Sequence, residues 1–188
     1  ANAKVTLVKG YEYACPFCER TITTTAKLRE RYGKDLRVVY SQYVVHPREA
    51  TLPARAACAA DKQGKFKAMD ALLWEKGFRG GRKFEPADIA GYATEAGLNM
   101  ATFERDLEAC AASVEAQQAA LAAVGMTGTP GFFINGRFIG GAQPIDVFIE
   151  LIDAELKKAK AAIAAGTPAA KYYEQEIVAK GLKSLAAD

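Results

Sequence analysis

A chain of 188 residues, half of them hydrophobic and a quarter charged, has the apolar content for a sizeable core and lies far from the composition of a disordered chain. The formal net charge of +3 is small, and no aromatic platform is interleaved with the basic clusters Arg79-Gly80-Gly81-Arg82-Lys83 and Lys157-Lys158-Ala159-Lys160. These read as a solvated loop and a solvated helix end, which excludes nucleic acid as a partner. No apolar run approaches the roughly 20 residues of a membrane helix, so the chain is read as not membrane-spanning.

The first residues, Ala1-Asn2-Ala3, run straight into a strand and carry no basic start with an apolar stretch behind it. They read as a trimmed or mature start with no signal peptide in view. Lys4-Val5-Thr6-Leu7-Val8 is short, β-branched and apolar, the pattern of a strand buried on both faces. Cys15-Pro16-Phe17-Cys18 follows, and Pro16 opens a helix expected to reach Tyr32 and stop at Gly33. Its stretch Thr21-Ile22-Thr23-Thr24-Thr25 is a poor helix former, so packing on a sheet must hold it. The next strand is predicted over Leu36–Val45, which makes a β-α-β opening and a parallel pair.

Residues 51–124 turn helical and alanine-rich. Phe66, Met69 and Leu73 mark one apolar stripe; Pro86 opens a helix that stops near Gly97; Phe103, Leu107, Cys110, Val114, Leu121 and Val124 mark a third. Strand character returns at Phe132-Phe133-Ile134 and Arg137-Phe138-Ile139, separated by Asn135-Gly136, a two-residue hairpin signal. Pro144 then opens a helix whose Ile145, Phe148, Ile149, Ile152 and Leu156 share a face. A further short helix is expected around Tyr172–Leu182. Tyr172, Tyr173 and Ile177 could dock this tail on the body, join it to another domain or form a dimer. The layout is an α/β fold with a helical block inserted in a small sheet.

Two motifs carry the chemistry. Two cysteines with two residues between them, standing where a strand gives way to a helix, can cycle between dithiol and disulfide. Gly128-Thr129-Pro130, over a hundred residues downstream and just ahead of a strand, can present backbone to a partner. Each is weak alone; together they point to thiol–disulfide exchange.

On Cys15-Pro16-Phe17-Cys18, Gly128-Thr129-Pro130 and the run from Asn135-Gly136 through Gly140-Gly141-Ala142-Gln143-Pro144, the chain resembles the DsbA-like thiol:disulfide oxidoreductases over residues 3–160. The resemblance implies a thioredoxin-like fold formed by residues 1–50 and 125–165, an inserted α-helical domain over 51–124, and a C-terminal helical tail over 166–188 outside the likeness. It implies that Cys15 is the exposed, reacting sulfur, that Cys18 is its buried partner, and that Pro130 is cis and faces them. Pro16, Phe17, Thr129 and Lys9 are the expected supporting residues. Partners would be protein or peptide thiols and a membrane-bound redox protein, in the periplasm or another extracytoplasmic compartment. No cofactor beyond the Cys15–Cys18 disulfide is expected. A reductase or isomerase of the same fold, and a peptide-binding holdase with structural cysteines, are the alternative readings.

The chain departs from the family at two of these positions. Phe17 cannot charge where strongly oxidising relatives carry histidine, so a thiolate stabiliser is missing and a potential less oxidising than theirs, though above that of thioredoxin, is expected. Lys9 stands where relatives usually carry an acid; it either stabilises thiolate by its charge or snorkels to solvent. Glu12 is nearer the motif, but its odd offset from Lys9 points it elsewhere on a strand. Thr129 precedes proline and is biased toward extended geometry; its hydroxyl either tunes the nearby sulfur or serves only as a good strand former. Cys58 and Cys110 are either a structural bridge across the insertion or two buried thiols. His46, followed by Pro47, reads as a loop or cap residue rather than a site residue. No second close ligand pair exists beside Cys15/Cys18, so no metal site is expected.

Overall fold

The computed structural model describes residues 3–181. Its four-stranded sheet has the order β2-β1-β3-β4. β1 (Val5–Tyr11) pairs in parallel with β2 (Leu36–Gln42), Lys9 opposite Tyr40, and α1 (Pro16–Tyr32) makes the crossover between them. β3 (Gly131–Ile134) runs antiparallel to β1, and β4 (Arg137–Gly140) closes the hairpin. Asn135 and Gly136 both take positive φ at the turn, as a tight hairpin requires. The Asn135 side chain also accepts from the Thr6 N–H at 2.9 Å and donates to the Lys4 carbonyl, tying the turn to β1.

Two cores follow from this order. α1 and α6 (Ile145–Ala164) cover the sheet, where Val5, Leu7, Leu28, Phe132, Phe148 and Ile152 are buried together. The edge-to-face pair Phe132–Phe148 lies at its centre, with ring centroids 4.8 Å apart. The helices between β2 and β3 form the second core: α2 (Pro47–Lys62), α3 (Phe66–Leu72, prolonged by a wider turn to Phe78), α4 (Pro86–Glu95) and α5 (Met100–Ala123). Alanines 56, 57, 59 and 60 of α2 are buried, and small side chains let α5 approach closely. A disulfide joins Cys58 on α2 to Cys110 on α5. Tyr11, Tyr13, Cys15 and Cys18 belong to this second core, so the end of β1 and the start of α1 are packed against the helical block.

Two expectations are corrected here. β2 ends at Gln42, not Val45, because beyond Tyr43, whose N–H still reaches the Tyr11 carbonyl, the backbone donors find side chains. The Gln117 amide oxygen accepts from Gln42 N–H, that of Gln118 from Val44 N–H, and the Glu12 carboxylate from Val45 and His46 N–H. The Arg79–Lys83 loop is not merely solvated: Arg79 pairs with Glu19 of α1 and Arg82 with Glu49 of α2. The tail docks on the body, with Tyr172 buried and the Arg37 guanidinium 4.6 Å from the centre of the Tyr173 ring. The expected end of its helix, at Leu182, lies outside the described residues.

Candidate active site

Cys15 occupies the N-cap of α1 in extended backbone, with Pro16 in the first turn, where the missing proline N–H costs nothing. Its sulfur accepts from the Cys18 N–H at 3.4 Å, and its thiol donates to the Thr129 carbonyl at 3.4 Å. Both cysteines are reduced, and Cys15, expected to be exposed, is buried at 4% exposure with the Thr129 loop against it. Hydrogen bonding from the Cys18 thiol, helped by Thr129 and by the backbone N–H groups of Phe17 and Cys18, outweighs burial and lowers the Cys15 pKa to about 6. Cys18, fully buried, is driven the other way, mainly by burial and by donating to Cys15. One sulfur is thus poised as a thiolate and the other held as a thiol.

The loop ahead of β3 brings Thr129 and Pro130 to the cysteines, and the peptide bond between them is cis. The Gly141 N–H donates to the Pro130 carbonyl at 2.8 Å, fastening this loop to the segment that leads into α6. Phe17, half exposed, projects beside them with the Arg20 guanidinium 5.1 Å from its ring centre. An open groove runs between Phe17, Arg20 and Thr24 on one wall and Thr129, Ala142 and Gln143 on the other. The reactive sulfur therefore lies next to a channel with one aromatic lip and exposed polar groups.

Lys9 does not snorkel. Only 2% exposed, it shares the α1 side of β1 with Val5 and Leu7, and its ammonium lies over the rings of Tyr11 and Tyr40. Burial pushes its pKa down, opposed by the charges of Cys18, Asp70 and Cys15. Glu12, also fully buried, binds the backbone of Val45 and His46 and the His46 ring Nδ1. His46 stands at the N-cap position of α2, as a loop residue would, but its ring makes no capping bond. The bond to Glu12 raises its pKa and holds it within electrostatic reach of Cys15. Cys58 and Cys110 form a bridge of their own in the same core as the reactive pair.

Residue-by-residue reading missed Asp70, Tyr13 and Tyr11. Tyr13 donates to Asp70 at 2.7 Å and is hydrogen-bonded to the Tyr11 hydroxyl at 2.9 Å. A signal for Asp70 existed: four residues after Phe66 and four before Trp74, it falls on the apolar side of its helix, where a carboxylate needs partners. Among the described residues no group of three or more His, Cys, Asp or Glu side chains is arranged to hold a metal. No helix among them is long and apolar enough to cross a membrane.

Comparison with known proteins agrees with this geometry. The thioredoxin family profile matches residues 1–154. A thioredoxin-like oxidoreductase from Silicibacter pomeroyi superposes with a TM-score of 0.71 at 28% identity, covering 83% of this chain and 88% of that one. Oxidised BdbD from Bacillus subtilis superposes with a TM-score of 0.74 at 22% identity, covering 82% and 89%. Among curated sequences, a Na(+)/H(+) antiporter NhaA of Herminiimonas arsenicoxydans is 31% identical over 155 residues, 81% of this chain but 24% of that protein. The chain spans about a quarter of the length of the curated relatives it matches.

Proposed function

The chain belongs to the thioredoxin family, with the helix-inserted fold seen in DsbA-like proteins, and on that premise we propose that it is a thiol:disulfide oxidoreductase acting on cysteines of proteins or peptides. The observation that carries the reading is the asymmetry of the cysteine pair. Cys15 sits at the N-cap as a stabilised thiolate bonded to the groove residue Thr129, and Cys18 is held as a fully buried thiol. In the oxidised protein a substrate thiolate attacks Cys15 Sγ, the Cys15–Cys18 bond breaks, and Cys18 leaves with the electron pair. A second substrate thiol attacks the mixed disulfide, so the substrate leaves oxidised and both cysteines end reduced.

Stabilising the Cys15 thiolate favours the reduced protein, which makes its disulfide a better oxidant; the direction proposed is therefore dithiol oxidation. Electrons then pass on to a membrane-bound redox partner, and no cofactor beyond the cysteine pair takes part. The Thr129 carbonyl and the groove floor offer backbone and side-chain contacts to an extended substrate. The Cys58–Cys110 bridge supports an oxidising, extracytoplasmic setting such as the periplasm.

The test is oxidation of a reduced, unfolded protein by the oxidised chain, run beside insulin reduction by the reduced chain. Transfer of disulfides to the unfolded substrate, abolished in Cys15→Ser, is the expected result. Insulin reduction without oxidation would turn the reading toward a reductase, and activity in neither assay would leave a peptide-binding role.

A further inference from the structure

Arg20 is a cation without an anion, on a face where the neighbouring carboxylates are already engaged. At helical spacing its neighbours on α1 are Pro16, Phe17, Thr23 and Thr24, none of them acidic, so the helix itself offers it no ion pair. Glu19, next to it in sequence, projects about 100° away around the helix and is held by Arg79. Glu49 is held by Arg82, and Glu12 by the backbone of Val45 and His46. Arg20 enters no ion pair among the described residues; what holds it is the Phe17 ring, with the guanidinium 5.1 Å from its centre.

That position is on the groove beside the reactive sulfur. Of the described residues that line this groove, Arg20 alone is charged. The polar side chains near it have their donors in use: the Thr21 hydroxyl donates to the Cys18 carbonyl at 2.7 Å, and the Gln143 amide to the Gly140 carbonyl at 2.9 Å. The guanidinium, exposed and planar, is thus the cation of the groove, matched in shape and charge to a carboxylate.

We propose that Arg20 selects substrates carrying an acidic side chain two residues from the reacting cysteine, a role that rests on the exchange reading given above. Phe17 and Arg20 stand two and five residues past Cys15, rises of about 3 and about 7.5 Å along α1, and a long helical side chain leans back toward the N-terminus. An extended substrate whose cysteine meets Cys15 Sγ advances about 3.3 Å per residue. A residue two places away therefore lies about 6.6 Å along and points to the same side as the cysteine, whereas an immediate neighbour points to the opposite side. The Asp or Glu carboxylate meets the guanidinium over the Phe17 ring, while the cysteine thiolate attacks Cys15 Sγ and Cys18 leaves with the electron pair of the disulfide. An ion pair at so exposed a rim acts on the rate of encounter and fades with salt.

The test uses the full, oxidised chain and single-cysteine peptides of one framework, with Glu, Gln or Lys placed one or two residues before or after the cysteine. The rate at which each peptide consumes the Cys15–Cys18 disulfide is read from acid-quenched samples by mass spectrometry, as peptide adduct plus reduced chain. Each rate is divided by that peptide's rate with hydroxyethyl disulfide, an uncharged reference that removes differences in thiolate content. With Glu two residues away on one side of the cysteine, the corrected rate at low ionic strength is expected to exceed that of the Gln peptide about two- to fivefold, and the Lys peptide should be slower than either. Glu one residue away should give little preference. Arg20→Gln should bring the Glu-to-Gln ratio to about one, and Arg20→Glu should turn the preference toward Lys. Equal corrected rates for Glu and Gln at every position, a preference equally strong one residue away, or a preference that Arg20→Gln retains overturns the proposal. Should neither variant fold, the wild type decides: the ratio must fall toward one between about 0.02 and about 0.5 M ionic strength, and a ratio indifferent to salt refutes the ion pair. If no peptide of any sequence consumes the disulfide, it is the exchange reading that fails.

Discussion

Replacing Cys18 with alanine isolates the interaction that contributes most to the acidity of Cys15. With a pKa of about 6 in place of the ordinary 9.0, Cys15 in the reduced protein is about 90% thiolate at pH 7, against about 1% for an unperturbed thiol. The largest contribution is the hydrogen bond from the Cys18 thiol. Hydrogen bonds to a charged group contribute about 1.5–3 kcal/mol, and each pK unit is about 1.4 kcal/mol, so Cys18→Ala should raise the Cys15 pKa by about 1–2 units. It should not restore the full value, because the position-18 N–H, the Phe17 N–H and the helix N-terminus still face the sulfur. Thiolate absorbance during acid titration, with iodoacetamide alkylation rates as a second readout, measures both proteins. A wild-type midpoint above about 8, or a Cys18→Ala midpoint indistinguishable from wild type, would show that the sulfur–sulfur contact is not the source. The sign of the linked stability follows. A group with a depressed folded pKa adds stability above its unfolded pKa and loses it as pH falls through about 6, so the reduced protein should gain on the oxidised one between about pH 6 and 9.

Three other outcomes are expected. Cys58→Ala/Cys110→Ala opens a loop of 52 residues in sequence separation and should cost about 2–4 kcal/mol in denaturant unfolding, while disulfide transfer at Cys15 continues. Loss of transfer with an intact fold would place the bridge in the reaction. Glu12→Gln removes the carboxylate that raises the His46 pKa, so the imidazole NMR titration should move down. The stabilisation linked to that raised pKa is fully present below about 6.5 and lost as pH rises through the folded value, and the variant should lack this pH dependence. Phe17→His puts a cationic side chain beside the thiolate; glutathione-equilibrium titration should give a more oxidising potential, and an unchanged one would mean that position 17 is too exposed to act.

The elements with strong local signals lie close to where the sequence predicts them. Gly33, the Asn135-Gly136 turn, Pro86 and Pro144 mark boundaries through backbone constraints that operate within a few residues, and α1, α4, the hairpin and α6 follow them. The edge of β2 past Gln42 was decided by Gln117 and Gln118 of α5 and by Glu12, which are far from it in sequence and reach its N–H groups only in the folded chain. Lys9 is the sharper lesson. An isolated lysine in a strand can bend its chain to water, but here Tyr40 opposite it and the helical block above close that route.

What the polypeptide determined by itself is the pair of sulfurs at a strand-to-helix junction, since two-residue spacing and Pro16 at the first helical turn are local facts. Tertiary structure decided how differently those sulfurs behave. Thr129, from the far end of the chain, is a partner for Cys15, and burial against the inserted helices holds Cys18 as a thiol. Asp70 faces the space behind them for the same reason: desolvation and charge act through distance in space, and only folding brings residues 9, 15, 70 and 129 within reach of one another.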